Sequence, residues 1–158
     1  MFCLMQQQIR YTILILIVAS GVYCRFPAPS TQRKSIVFHF VNFCNNRGLA
    51  RVGVYNDPKN FCNEAVKPFR EVSGKIVNKE SFIEVYDLPE GDYAFTLLHD
   101  ENEDAVMNYN FLGLPKEGYA FSNNAFPVLS KPSFNSCRVH ISYAAPVCQS
   151  IRVRYLLK

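Results

Sequence analysis

Acidic and amide side chains alternate at the start of the segment 99–124, which reads Asp-Glu-Asn-Glu-Asp from position 100. Carboxylate and amide oxygens on alternating residues of a tight loop are the ligands that calcium prefers. The candidate ligands are the side chains of Asp100, Asn102, Asp104 and Asn108 and the backbone of Val106. The spacing therefore predicts a cation site in this segment, and calcium is the ion that it suits.

The match to a calcium loop is incomplete. Ala105 stands where such loops need glycine for a sharp turn, and no glutamate follows at the position of the bidentate ligand. The alternative is a polar turn that is held by hydrogen bonds of its own Asn and Asp side chains and needs no metal. Both interpretations remain open at the level of sequence.

No local signature of catalysis accompanies this segment. The chain lacks Gly-x-Ser-x-Gly, Cys-x-x-Cys, His-Glu-x-x-His and a glycine-rich phosphate loop. Of the three histidines, His39 is predicted to be a satisfied core or edge residue, His99 to adjoin the acidic loop, and His140 to face solvent. We therefore expect a protein that is not an enzyme and has no cofactor, with calcium as the one candidate ion.

The N-terminus has the pattern of a secretory signal peptide. Arg10 precedes an apolar run at 13–19, which ends in Ala19, Ser20 and Gly21. A membrane anchor would need about 20 apolar residues, and Arg25 interrupts the run before that length. We expect a signal peptide at 1–24, an extended lead-in at 25–34 and one domain at 35–158, in a secreted protein. Cleavage after Gly21 and cleavage after Cys24 both remain open.

Four cysteines fall within the predicted domain, and an even number in a secreted protein suits two disulfides. They are Cys44, Cys62, Cys137 and Cys148. If consecutive strands form hairpins, each local pair lies near opposite ends, roughly 25 Å apart at about 3.3 Å per residue. A disulfide needs Cα atoms within about 4.4–6.8 Å. We therefore expect pairing between the N-terminal and the C-terminal cysteines.

The rest of the chain has the pattern of an all-β protein. Short runs rich in Val, Ile, Phe and Tyr are separated by Gly, Pro, Asn and Asp, which favours strands. Strands are predicted near 35–43, 49–56, 74–78, 81–87, 92–98, 136–143 and 149–157, with only weak helical signals at 63–69 and 105–112. About seven such strands indicate an antiparallel β-sandwich.

Two further features concern surfaces. The last two strands are expected to form a hairpin with a basic face, made of Arg138, His140, Arg152 and Arg154. The aromatic residues of the long segment are expected to anchor it over the open end of the sandwich; they are Phe111, Tyr119, Phe121, Phe126 and Phe134. The net charge of +4 is spread along the chain, which argues against a nucleic-acid partner.

Several blocks of the sequence resemble one family. These are Leu88-Pro-Glu-Gly-Asp-Tyr93, His99-Asp-Glu-Asn, the block 110–124 from Asn-Phe-Leu-Gly to Phe-Ser-Asn-Asn, and Lys131-Pro-Ser-Phe134. Together they resemble the largely bacterial family known as domain of unknown function 2141, over most of 36–157. The resemblance implies an exported protein with a transthyretin-like or prealbumin-like β-sandwich; an immunoglobulin-like sandwich also suits the strand pattern. It implies no particular activity.

The resemblance also bears on the acidic loop. The family's usual loop reads Asp-Glu-Asn-Gly-Asn-Gly-Lys-Leu-Asp, whereas Glu103 and Ala105 replace its glycines here and Asn108 replaces the last Asp. These changes weaken the case for calcium. The four domain cysteines are outside the family pattern, which suggests a secreted version reinforced by disulfides.

Three functions follow as hypotheses. The first is a secreted, non-enzymatic β-sandwich that binds a small ligand or a cation at 99–124, with no stable membrane span after signal cleavage. The second is a transthyretin-like small-molecule hydrolase, which would need His99, His140 and Arg138 in one cleft and a C-terminal Tyr-Arg-Gly-Ser; this chain ends Arg-Tyr-Leu-Leu-Lys. The third is an extracellular adhesion or matrix module.

Overall fold

The computed structural model describes residues 35–126, 131–142 and 147–157. The predicted signal peptide, its cleavage site and the lead-in lie outside these residues. Within them the chain forms eight strands, one 3-10 turn and one short helix. The strands are β1 (Ser35–Val41), β2 (Leu49–Tyr55), β3 (Arg70–Lys75), β4 (Glu80–Tyr86), β5 (Gly91–Asp100), β6 (Gly118–Phe121), β7 (Val139–Ile141) and β8 (Val147–Arg152). The 3-10 turn is Ser122–Asn124 and the helix α1 is Phe134–Cys137.

The strands form two sheets. One has the order β4-β1-β8, and the other has the order β3-β2-β5-β6 with β7 paired to the start of β5. All pairs are antiparallel except β1 with β8, which is parallel. The predicted all-β sandwich is therefore confirmed, with one parallel pair in an otherwise antiparallel arrangement.

The core lies between the two sheets, where alternate residues of each strand meet. Ile36, Phe38 and Phe40 of β1 are buried, and Phe38 packs edge-on against Phe95 of β5 at 4.9 Å between ring centroids. Full burial of such a side chain contributes about 1.5–3 kcal/mol. Period-two patterning is what places these residues on one face of their strands.

A second apolar cluster, which we call the outer cluster, covers the other face of the five-stranded sheet. It consists of Ala94, Tyr119, Phe121, Phe134 and Cys137, with Tyr55, Phe61, Cys62, Met107 and Ala125 packed around them. Tyr119, Phe121 and Phe134 thus cover a sheet face, which corrects the expectation that the aromatic residues close one end of the sandwich. Phe111 is 94% exposed and Phe126 is also exposed.

The predicted C-terminal hairpin is wrong. β7 pairs with β5 in one sheet, and β8 pairs with β1 in the other. The predicted basic face is therefore divided. Arg138 and His140 pair with Asp92 of β5, Arg152 ends β8 in the other sheet, and Arg154 lies over the Phe126 ring. The alternation of apolar and polar residues predicts which face of a strand is exposed to solvent, but it does not predict which strand pairs with it.

Other boundaries also differ from the sequence prediction. β3 begins at Arg70, four residues before the predicted 74–78, and the weak helical signal at 63–69 corresponds to turns. β6 was not predicted. Its four residues are all buried, so it lacks the alternation that marks a half-exposed strand.

The hairpin argument for the cysteines fails because β1 pairs with β4 and β8, not with β2. Cys44 lies at one end of the main core, Cys62 and Cys137 belong to the outer cluster, and Cys148 is exposed on β8. In this structure no disulfide joins any two of these four cysteines. The predicted pair of long-range bridges is therefore not observed.

Within the described residues, no helix has the length and hydrophobicity that a membrane crossing requires.

Candidate metal centre beneath the acidic loop

β5 ends in two polar residues that are both completely buried, His99 and Asp100. Because side chains alternate along a strand, they lie on opposite faces of the sheet. His99 is on the inner face with Phe95 and Leu97. Asp100 is on the outer face, beside Arg51 of β2.

The Asp100 carboxylate is fully engaged by the protein. Its Oδ1 accepts a hydrogen bond from the Asp104 N–H at 3.1 Å, and its Oδ2 accepts from the Ala105 N–H at 3.0 Å and from Arg51 Nε at 2.5 Å. Arg51 also offsets the buried negative charge. Asp100, the first ligand of the predicted calcium loop, thus holds a turn by hydrogen bonds to its backbone.

The other predicted ligands bond one another. Asn102 Nδ2 donates to Asp104 Oδ2 and to Asn108 Oδ1, both at 2.9 Å, and Asn108 Nδ2 donates to Asp104 Oδ2 at 2.9 Å. Val106 contributes its N–H to Asp104 Oδ1 at 3.0 Å. The Asn108 amide, then the Val106 N–H and then the Asn102 amide hold the pKa of Asp104 below its usual value. This geometry is that of a self-bonded polar turn, and the calcium site stays a prediction.

The backbone of the loop keeps a glycine-like conformation at two positions without glycine. Glu103 has φ 61° and Ala105 has φ 65°, and these are the positions where the resembling family has Gly. A left-handed conformation costs a residue with a side chain about 1–2 kcal/mol. The Asp100 bonds hold the turn, as does the buried Glu117, whose carboxylate accepts from the N–H groups of Glu101 and Asn108, each at 3.1 Å.

Three potential metal ligands converge on the inner side of the same strand end. Cys44 Sγ, His99 Nδ1 and Glu101 Oε1 all lie within 4.8 Å of one another. Sγ is 4.0 Å from Nδ1 and 3.8 Å from Oε1, and Nδ1 is 4.0 Å from Oε1. Cys44 comes from the turn 42–48, which crosses the end of β5, and Glu101 directly follows that strand.

Neighbouring groups orient the histidine. Its Nε2 lies 2.9 Å from the backbone carbonyl oxygen of Arg47, which can only accept. Nε2 therefore carries the proton, and the lone pair of Nδ1 accepts from the Tyr155 hydroxyl at 2.7 Å, while Cys44 Sγ and Glu101 Oε1 each lie 4.0 Å from the same nitrogen. A metal ion bound at Nδ1 would replace that hydrogen bond. A histidine that donates its second nitrogen to a carbonyl is typical of metal centres.

The carboxylate is oriented in the same way. Glu101 Oε2 accepts from Asn45 Nδ2 and from Arg47 Nη2, each at 2.9 Å. These bonds turn Oε1 toward the thiol and the imidazole. The Asn45 amide also lies 3.2 Å from Cys44 Sγ.

Tyr155 closes the cluster from the C-terminal segment. Its hydroxyl accepts from the Cys44 N–H at 3.0 Å and lies 2.7 Å from His99 Nδ1, to which it donates. Burial raises the pKa of this hydroxyl, so it stays protonated. The ring fits against Gly118, where an added Cβ would come within 2.5 Å of it.

This donor set suits coordination better than nucleophilic catalysis. In a catalytic triad, the nucleophile and the acidic residue hydrogen-bond to opposite nitrogens of the histidine. Here the Cys44 sulfur and the Glu101 carboxylate are both on the side of His99 Nδ1. Thiolate, imidazole and carboxylate are ligands of zinc and similar transition metals. Tetrahedral zinc would hold such nitrogen, oxygen and sulfur atoms about 3.3–3.6 Å apart, so the observed separations would have to shorten by about 0.2–0.7 Å.

The residues required by the hydrolase hypothesis do not meet. Arg138 and His140 lie beside Asp92 at the start of β5, and His140 Nδ1 is 2.8 Å from the Asp92 carboxylate. His99 is at the other end of that strand. His140 is exposed, as predicted. His39 lies on the central strand of the three-stranded sheet, on its solvent-facing side, where it bonds Glu80 at 2.8 Å and stacks on Phe82 at 4.2 Å. It is therefore satisfied, as predicted, but it is neither a core nor an edge residue.

Comparison with known families identifies the chain's relatives. Residues 39–147 match the family described as "Uncharacterized protein conserved in bacteria (DUF2141)". The chain belongs to this family. No curated protein and no solved structure matches it significantly. The part of the chain matched to DUF2141 includes Cys44, His99 and Glu101, whereas Tyr155 lies beyond it.

The sequence analysis names none of the three donors as a metal ligand. It places His99 only beside the acidic loop, it assigns Cys44 to a disulfide because the cysteines are even in number, and Glu101 falls between the alternating calcium positions. The available signal was the pair His99 and Glu101, which flanks Asp100 at the spacing of residues on one strand face. Nothing in the sequence brings Cys44 to that pair.

Proposed function

We propose that this DUF2141 protein is an exported, non-enzymatic β-sandwich that binds a divalent transition-metal ion through Cys44, His99 and Glu101. The observation that carries the proposal is the convergence of these three donors, with Nδ1 and Oε1 turned inward by Arg47 and Asn45. The Cys44 sulfur and the His99 nitrogen are softer ligands than the oxygen atoms that calcium prefers. Zinc is accordingly the ion to test first.

The charges at the centre favour a divalent ion. A Cys44 thiolate and the Glu101 carboxylate together balance two positive charges, so the loaded centre is neutral apart from Arg47, whose side chain is 73% exposed. A buried site pays a large penalty for uncompensated charge. The same balance argues against a monovalent cation.

Export rests on the N-terminal pattern. Arg10, the apolar run 13–19 and the small residues 19–21 support a signal peptide at 1–24 that precedes the domain 35–158. Expression of the full chain in a secreting host should release a product into the medium. N-terminal sequencing of that product would distinguish cleavage after Gly21 from cleavage after Cys24. Retention of residues 1–20 would contradict the signal peptide, and absence of product from the medium would contradict export.

Metal binding is tested by calorimetric titration of the exported, reduced protein with zinc and, separately, with calcium. We expect one zinc ion per chain. Cys44→Ser should weaken zinc binding by about 100-fold or more, because one of three ligands is lost while side-chain size is kept. Asp104→Asn is the matched control, and it should leave zinc affinity unchanged.

Cobalt provides a second readout. A cobalt-substituted centre with a thiolate ligand should show a sulfur-to-metal charge-transfer band that Cys44→Ser removes. Circular dichroism establishes that the variant is folded. Absence of zinc binding, or zinc binding that is indifferent to Cys44→Ser, would overturn the proposal, and a calcium affinity that Asp104→Asn abolishes would restore the acidic loop as the cation site.

A further inference from the structure

The outer cluster contains a second pair of thiols, which the metal centre does not use. Cys62 lies in the segment after β2 and is half-buried, and Cys137 is fully buried at the end of α1. Cys62 packs against the group of residues that includes Cys137. Their neighbours are also in contact, since Phe61 meets Phe134 edge-on at 5.9 Å between ring centroids.

Polar contacts hold the two segments together at the same place. Lys131 Nζ, a few residues before α1, donates to the Cys62 carbonyl oxygen at 3.2 Å and to Glu64 Oε1 at 2.6 Å. This lysine, together with the hydroxyl of Tyr109, holds the pKa of Glu64 below its usual value. The segment around Cys62 is thus tied to the segment that carries Cys137.

Cys137 also influences Cys62 electrostatically. Burial raises the pKa of Cys62 to about 12; the Lys131 charge opposes that shift, and the nearby Cys137 adds to it. Burial likewise raises the pKa of Cys137. Thiols of this kind are poor nucleophiles once the protein has folded, which indicates a structural rather than a catalytic pair.

We infer that Cys62 and Cys137 form a disulfide bond in the exported protein, joining the segment after β2 to α1 across the outer cluster. One S–S bond forms and two S–H bonds break. The oxidant is a low-molecular-weight disulfide of the export compartment, which takes the two electrons and two protons and leaves as two thiols. This single bridge replaces the two that the sequence predicts.

The fold disfavours the other pairings. Cys44 lies with His99 on the inner side of the five-stranded sheet, whereas Cys62 and Cys137 lie on its outer side. Cys148 is exposed on β8, opposite Val37, in the three-stranded sheet. Stacked sheets are about 10 Å apart, so a bridge from Cys148 to the outer cluster would have to pass through the sandwich.

Peptide mapping of the exported product tests this inference. Thiols are blocked with an alkylating agent before digestion without reduction, and the linked peptides are identified by mass spectrometry. We expect the peptides that contain Cys62 and Cys137 to be joined, and Cys148→Ser to leave that link intact. Recovery of these two peptides alkylated and unlinked, or linked to other cysteines, would overturn the inference.

Thermal stability gives an independent check. Cys62→Ala and Cys137→Ala should each lower the melting temperature by about 5–10 °C, and the double variant should fall no further, because either change removes the same bridge. A reducing agent should lower the melting temperature of the wild type by a similar amount and leave that of the double variant unchanged. Additive losses would contradict a bridge. Zinc binding is expected to persist in the double variant, so the two proposals fail independently.

Discussion

His99 and Asp100 are adjacent and equally buried, but the two faces of β5 give them different surroundings. Asp100 accepts from two backbone N–H groups and from Arg51, and its lone pairs hold a turn. His99 instead shares a small space with a thiol and a carboxylate. The comparison teaches that a run of acidic residues is not in itself a cation site. What matters is whether several potential ligand atoms converge on one point, as Cys44 Sγ, His99 Nδ1 and Glu101 Oε1 do.

The two sides should therefore respond differently to mutation. Changes on the outer side, around Asp100, should alter stability without altering zinc binding. Changes on the inner side, around His99, should alter zinc affinity strongly even where they change the free energy of unfolding little.

The largest effect is expected from Asp100→Ala. The change leaves Arg51 without its buried partner and two N–H groups without an acceptor, which should lower the free energy of unfolding by about 3 kcal/mol. Urea denaturation measures this value. Asp104→Ala is the control, because Asp104 is exposed and its loss should barely move the midpoint. Equal effects of the two changes would mean that Asp100 is not the anchor of the turn.

Gly118→Ala should be next. The added Cβ would lie 2.5 Å from the Tyr155 ring, so the ring must shift, at a cost of about 2 kcal/mol. Because the Tyr155 hydroxyl contacts His99 in the proposed metal centre, zinc affinity should change as well. Gly113→Ala is the control: it strains a residue with φ 74° but has open space around it. It should cost about 1 kcal/mol and leave zinc binding intact.

Arg47→Met should separate binding from stability. The Arg47 side chain is largely exposed, so its ion pair with Glu101 contributes little to folding. It nevertheless orients Glu101, a proposed metal ligand, and its loss should weaken zinc binding by about tenfold. Titration and urea denaturation of the same sample measure both quantities. Unchanged zinc affinity would show that Glu101 needs no such support.

The smallest effect is expected from Ala105→Gly. Removing the side chain relieves the strain of a left-handed conformation, which stabilises the folded protein. The more flexible unfolded chain offsets part of this effect, so the free energy of unfolding should rise by about 0.5 kcal/mol. The matched control is Ala125→Gly, at a residue with φ −54°, which should be destabilising. A loss of stability in Ala105→Gly would contradict the strain at this position.

Local patterning predicted much of this fold. The Val, Ile, Phe and Tyr runs identified most of the strands, and alternation correctly placed Val139 and Ile141 inward and His140 outward. It failed at β6, which is buried along its whole length and so shows no period-two signal. It also failed to pair β7 and β8, because neighbouring strands in sequence need not be neighbours in a sheet.

The sequence by itself therefore determined the β-sandwich class and the family. It also indicated the segment after β5 as the region to search for a binding site. Tertiary structure alone decided which polar atoms are satisfied. Cys44 reaches His99 only because the turn after β1 crosses the end of β5, and Asp100 is engaged only because β2 places Arg51 beside it. A side chain's direction follows from its own strand, whereas its partners depend on long-range packing of the two sheets.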